Sequence, residues 1–266
     1  MPTFMRDDLR LHYGARGRPD GRPVVLMHGL LWSSRMLERV AALLPEQRIV
    51  LLDLHGHGKS DKPTDPIRYT WAELTADLVG LLDHLGVERA VVGGLSLGAN
   101  VALAAAHEHA RRMDALVLEM PVLLRGHRVG RPAFSALAAA YAGAAPFLAP
   151  ASRVLARLPA PRGRLPEAAA MRDVASLDPR VARAILTGLL AEAPIAEDEA
   201  SLRRLTMPAL VIAHRNDPLH ALADARDLVA RLPDATLVEA SSIVEYRIRP
   251  ATLARHLRHF LATVPD

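Results

Sequence analysis

The 266 residues contain no cysteine. This excludes a disulfide framework, a thiolate nucleophile and a thiolate-ligated zinc site. Aromatic residues are scarce, at 4% of the chain, too few to build a stacking platform for single-stranded nucleic acid. Lysine is nearly absent. Only Lys59 and Lys62 are lysines, and the net charge of +4 rests on arginines scattered along the chain rather than gathered in a stripe. Without such a stripe, no nucleic-acid partner is expected. The N-terminus, Met1-Pro-Thr-Phe-Met-Arg-Asp-Asp8, has no apolar signal region. No segment is read as reaching the roughly 18 apolar residues of a membrane span. The expectation is a cytoplasmic protein, monomer or homodimer, with no membrane partner.

Hydrophobic residues make up 50% of the chain, enough for a large core, and the length suits one α/β domain with an insertion. The short continuous apolar run Val24–Met27 reads as a parallel strand covered on both faces, Arg48–Leu52 and Val91–Gly94 as further buried strands, and Ala115–Glu119, Ala209–Ala213 and Ala235–Ala240 as strands. Leu9–Tyr13 alternates apolar and polar, as an edge strand does. Leu74, Leu78, Leu81, Leu82 and Leu85 fall at helical spacing and Gly86 stops that helix. A further helix is read from Asp224 to Leu232. Pro250 opens a closing helix with Leu253, Leu257, Phe260 and Leu261 on one face. Strands alternating with helices predict a doubly wound, mostly parallel sheet whose ligands sit at the strands' carboxyl ends.

From Pro121 to about Leu205 the pattern changes. The segment is rich in Ala, Pro and Arg and has no evident strand. Prolines at 146, 150, 159, 161, 166, 179 and 194 punctuate it, predicting several short helices. Its apolar content is too high for disorder. It reads as a helical cap at 121–205, inserted between core segments 1–120 and 206–266.

The chain is organised around Val91-Val-Gly-Gly-Leu-Ser-Leu-Gly-Ala-Asn100. A buried strand ends, turns sharply at Ser96 and enters a helix near Leu97. A Cβ at Gly94 or Gly98 is expected to collide across so tight a turn. Ser96 Oγ then projects at the sheet's carboxyl edge. The Leu97 amide lies at a helix N-terminus, where negative charge is favoured.

These pieces carry a family likeness. His28-Gly29 follows the third strand, Asp53-x-His-Gly-His-Gly-x-Ser60 the fourth, Gly94-x-Ser96-x-Gly98 the fifth, a helical insertion the sixth, and Asp217 the seventh. The chain thus resembles the α/β-hydrolase superfamily over nearly its whole length. The resemblance implies Ser96 as nucleophile, Asp217 as triad acid, and an oxyanion hole from the Leu97 and Leu30 amides. A serine nucleophile is unlike the aspartate of the dehalogenase and epoxide-hydrolase branches.

The departure is the base. Families of this kind place a histidine after the last strand, shortly before a proline such as Pro250. Here Ile243 stands about where the imidazole belongs, and no histidine occurs between His220 and His256. A serine hydroxyl is a weak nucleophile without an adjacent base. His220, three residues after Asp217, is the best replacement, because Asp217 can hold its ring in the needed tautomer. Against this stands a His220 that merely caps the next helix. Glu245 and Tyr246 offer a third option, a non-histidine proton acceptor. Glu119, ending the sixth strand, is either an alternative acid or a carboxylate anchoring the cap. With His28 and Ile243 it is counted among the residues expected to face substrate. Asp53-x-His55-x-His57 has metal-like spacing but reads as a loop signature, so no metal and no cofactor is expected.

Two functions follow. One is a serine hydrolase of a carboxylic ester, lactone or related acyl group of a small molecule, with a displaced base. The alternative is a non-hydrolytic member of the fold, a lyase- or cyclase-type catalyst or small-ligand binder, that has lost the triad histidine.

Overall fold

A computed structural model describes residues 2–158, 166–193, 195, 199–242 and 245–265. In chain order the elements are β1 (Thr3–Arg6), β2 (Leu9–Gly17), β3 (Pro23–Met27), α1 (Glu38–Ala41), β4 (Arg48–Asp53), α2 (Trp71–His84), β5 (Ala90–Leu95), α3 (Leu97–His109) and β6 (Met113–Glu119). Four helices follow: α4 (Leu124–Arg157), α5 (Pro166–Ala175), α6 (Pro179–Ala191) and α7 (Glu199–Arg203). The chain then returns to β7 (Ala209–His214), α8 (Leu222–Arg231), β8 (Ala235–Ala240), α9 (Glu245–Ile248) and α10 (Pro250–Leu261).

All eight strands share one sheet in the order β1-β2-β4-β3-β5-β6-β7-β8. β1 and β2 pair antiparallel with each other, and β2 with β4. From β4 to β8 every pairing is parallel. This is the α/β-hydrolase fold. The two-residue period of a strand sorts the side chains into two cores. Val25, Met27, Val50, Leu52 and Val92 face one way, under α2 and α3. Val24, Leu26, Ile49, Leu51 and Val91 face the other, under α1 and α10. Truncating a fully buried leucine in either layer, such as Leu78 or Leu51, removes about 2–5 kcal/mol of stability.

The chain leaves β3 for β4 on one side and returns to β5 on the other, so a crevice opens at the carboxyl ends of β3 and β5. Backbone strain collects along that edge. Asp7, Leu31, Ser96, Met120 and Asn216 are the described non-glycine residues with positive φ. All but Asp7 follow the carboxyl end of a parallel strand. Such conformations cost about 1–3 kcal/mol each and persist only where the surroundings enforce them.

The segment between β6 and β7 departs from expectation. Its first helix, α4, runs for 34 residues straight through Pro132, Pro146 and Pro150. All three prolines are exposed. The carbonyls they leave without an intrahelical donor can be solvated, which removes the main reason for a helix to stop. Pro166 and Pro179 open helices rather than end them, and Pro159, Pro161 and Pro194 lie outside the described residues. The reading that no segment matches a membrane span is also corrected. α4 meets that test by length and composition, with its most apolar stretch only 6% buried. Length and apolar content do not separate a span from a helix laid along the outside of a fold. β1 was not anticipated; its alternating burial covers only four residues.

Candidate active site

Ser96 adopts φ 51° and ψ −105° between β5 and α3. Its amide donates to the Glu119 carbonyl (2.8 Å) and its carbonyl accepts from Asn100 N–H (3.0 Å). The bend is therefore pinned by β6 on one side and by the start of α3 on the other. The flanking glycines answer to one neighbour. A Cβ at either Gly94 or Gly98 would meet the carbonyl oxygen of Met27 well inside contact distance. β3 can approach the turn this closely only because both positions lack a side chain.

His220 stands over the turn. Its Nε2 is 3.0 Å from Ser96 Oγ, and its Nδ1 is 2.7 Å from Asp217 Oδ2. A carboxylate only accepts, so Nδ1–H donates to Asp217 and Nε2 is left to accept from the Ser96 hydroxyl. Asp217 also organises its own loop, since Oδ1 accepts the amides of Leu219 (3.0 Å) and His220 (3.1 Å). Burial alone would raise the Asp217 carboxyl, but the His220 ring and these amides outweigh it and hold it below its ordinary value. Acid and base side chains are 8% and 11% exposed, so the pair is largely withdrawn from solvent.

The loop bearing His220 is held against α4. A Cβ on Gly126 would collide with the Leu219 carbonyl oxygen, and one on Gly130 would lie 2.6 Å from Leu219 Cδ1. Asp224, at the start of α8, accepts the amides of Arg125 (2.8 Å) and Gly126 (3.0 Å) and pairs with the Arg125 guanidinium (2.8 Å). Asn100 ties α3 to the β6–α4 connection through two 2.8 Å bonds with the backbone of Val122.

In front of Ser96 lies a pocket of about 650 Å³, counting its open mouth. It is lined by Leu30 and Leu97 beside the serine, Trp71 of α2, Val122, then His127, Arg131 and Phe134 of α4, and Leu186, Leu189 and Leu190 of α6. Leu97 supplies the first amide of α3, which has no intrahelical acceptor. The Leu30 amide likewise donates to no described residue. Leu31, next to Leu30, is one of the strained residues, with φ 64°.

The other predicted site residues fall elsewhere. His28 is not substrate-facing. It is fully buried, its Nε2 accepts the Leu54 amide (3.2 Å), and its ring lies 4.7 Å from that of His57. Burial pushes its imidazole down, keeping it neutral. Glu119 is also corrected. It is 4% exposed and pairs with Arg247 at 2.5 Å, with His214 Nε2 3.5 Å away. Burial would raise its carboxyl, but the Arg247 charge wins and lowers it. It therefore neither faces the pocket nor anchors the segment between β6 and β7. Ile243 lies outside the described residues. Glu245 accepts from the Ser241 amide (2.6 Å) and hydroxyl (2.8 Å). Tyr246 is buried against the rings of His214 and His256. Both side chains are thus committed away from Ser96. Asp53, His55 and His57 diverge, Asp53 to His12, His55 to Asp77 and His57 to the His55 carbonyl.

Sequence reasoning missed most of the pocket wall. His127, Arg131 and Phe134 fall at i, i+4 and i+7 of α4 and so share a face. That spacing was visible, but the expectation of short, proline-broken helices concealed it.

The profile of the alpha/beta hydrolase fold matches residues 22–242. A relative in Caulobacter sp. (strain K31), provisionally named a carbamate hydrolase, is 36% identical over 244 residues, 85% of each chain. The 3-oxoadipate enol-lactonase 2 of Acinetobacter baylyi is 26% identical over 251 residues, 91% of this chain and 89% of its own. Among solved structures, the enol-lactonase from Burkholderia xenovorans LB400 superposes with a TM-score of 0.75 at 26% identity, covering 98% of this chain and all of that one.

Proposed function

Since this chain belongs to the alpha/beta hydrolase fold family and is a hydrolase, we propose that it cleaves a carboxylic ester, lactone or related acyl group of a small molecule through Ser96, with His220 as the base and Asp217 as the acid. The observation that carries this reading is the unbroken hydrogen-bonded line Asp217–His220–Ser96, at 2.7 and 3.0 Å. Both distances lie within the reach proton transfer requires.

In the first half-reaction His220 Nε2 takes the hydroxyl proton as Ser96 Oγ bonds to the substrate carbonyl carbon. The carbonyl's π pair moves onto its oxygen, where the Leu30 and Leu97 amides donate to it. The tetrahedral species collapses as His220 returns the proton to the leaving oxygen, giving an acyl-serine. Water then attacks along the same path, His220 takes its proton, and Ser96 leaves as the hydroxyl. Asp217 stays ionised throughout, which its lowered pKa favours, and stabilises the imidazolium formed at each step. The relatives named for carbamate and enol-lactone hydrolysis support attack at an acyl carbonyl. The apolar pocket supports a small, largely apolar substrate.

A fluorophosphonate probe tests this directly, because it reports serine activation independently of the natural substrate. Stoichiometric labelling of Ser96, lost in His220→Ala, is the expected result. An intact protein whose Ser96 stays unlabelled overturns the reading.

A further inference from the structure

Among the described residues, Arg131 is the one lining residue of the Ser96 pocket that carries a full charge, and no carboxylate among them lines that pocket. It is exposed, and it makes no hydrogen bond or ion pair with any described residue. Its neighbours on the same face of α4 are His127 and Phe134, one turn to either side. Arg131 therefore combines exposure to solvent with a place in a lining that is otherwise mostly apolar, Phe134, Leu189 and Leu190 among it. Long basic side chains adopt this arrangement readily, stem on the apolar surface and head in water.

We propose that Arg131 recognises a carboxylate on the substrate, so that the natural substrates are acyl compounds carrying a carboxylate separated from the scissile carbonyl by an apolar spacer. This rests on the hydrolase reading above and names its substrate class. The guanidinium's planar fork matches a carboxylate bidentately. With the carboxylate held at the mouth and the reacting carbonyl at Ser96, the spacer lies against the leucines of α6. The site then selects by charge at one end and by reach at the other. An uncharged acyl chain gains the apolar contact but not the ion pair.

The test uses 4-nitrophenyl monoesters of succinic, adipic and suberic acid, each paired with the same compound capped as its methyl ester. Nitrophenolate release reports only the aryl ester bond, and spontaneous release is subtracted. For at least one spacer, kcat/KM should favour the free carboxylate by about tenfold, the scale of one hydrogen bond to a charged group. Arg131→Gln should abolish that ratio, Arg131→Lys should restore part of it, and raised salt should shrink it. If carboxylate and methyl ester are cleaved equally at every spacer, or the ratio survives Arg131→Gln in a folded variant, the assignment of Arg131 is wrong while the serine chemistry stands. If wild-type protein cleaves neither series, both this inference and the hydrolase reading fall.

Discussion

Replacing His220 with alanine removes the one group among the described residues that is bonded to the Ser96 hydroxyl, and the size of the loss follows from the geometry. The ring contributes two hydrogen bonds, at 3.0 Å to the nucleophile and 2.7 Å to the acid. Without it the serine hydroxyl loses the one side-chain partner it has among the described residues, and the Asp217 carboxylate loses the ring it is bonded to. General-base catalysis alone is worth about 10²–10⁴ in rate. In a triad that works as a unit, deleting the base costs nearly as much as deleting the nucleophile. We therefore expect kcat on a 4-nitrophenyl ester to fall by at least about ten-thousandfold. The double variant Ser96→Ala/His220→Ala should be no worse than either single one. The residue of activity, roughly a thousandfold over water, would be what the Leu30 and Leu97 amides and binding supply. Added imidazole should recover part of the rate by refilling the vacated space. Circular dichroism and the unfolding midpoint separate this from misfolding. A folded His220→Ala protein that loses less than about tenfold in kcat would refute the assignment, because no effect of that size fits loss of a general base.

Two further outcomes follow from the packing. In Gly126→Ala the new Cβ collides with the Leu219 carbonyl, so the His220 loop must move. A displacement of a fraction of an ångström should cost about 10–100-fold in kcat with little change in KM. Gly143→Ala, on the same helix with nothing within 4 Å of its Cβ, should keep full activity and gain up to about 1 kcal/mol of helix stability. The second outcome concerns acid. Burial holds His28 and His57 neutral, with folded pKa values below the usual 6.5. The unfolded chain therefore binds more protons once pH falls below about 6.5, and stability should drop there by up to about 1.4 kcal/mol per pH unit for each histidine. Glu119, whose folded pKa is lowered, adds to the loss only in the ordinary carboxylate range. Urea midpoints that stay flat from about pH 7 to about pH 5 would show that these imidazoles are not held neutral.

The core and the nucleophile turn were legible because each rests on a local rule. Continuous apolar runs mark buried strands, and those at Val24–Met27, Arg48–Leu52 and Val91–Gly94 reappear as β3, β4 and β5 in the middle of the sheet. Gly94 and Gly98 announced a close approach, although the sequence could not say that Met27 would be the neighbour. His220 could be nominated from its spacing to Asp217, because i, i+3 contacts within a loop are short-range. What was not legible depends on long-range placement. Glu119 and Arg247 are 128 residues apart, and nothing local in either segment announces their pairing. α4 was misread for a different reason. Proline's cost is set by whether the carbonyl it orphans can find water, and that depends on exposure, which only the assembled fold determines.

Setting the base beside the acid changes which contacts the site depends on. With acid and base on separate loops, two long-range fits must hold at once, base to acid and base to nucleophile. Here the first is local. Asp217 orients His220 across three residues, with the intervening amides as added restraints. Only the fit across the 124 residues to Ser96 must be supplied by tertiary structure, and α4 supplies it through Gly126, Gly130 and the Asp224 bonds. The segment after β8 is then free of any duty to carry an imidazole. It serves the sheet instead, with Arg247 neutralising Glu119 and Ser242 accepting from His214. An ionised Glu119 without Arg247 would be a buried, uncompensated charge at the end of the strand next to β5, the strand that leads into Ser96. On the mechanism proposed above, the Arg247 bridge thus removes a competing negative charge from the neighbourhood in which the oxyanion would form.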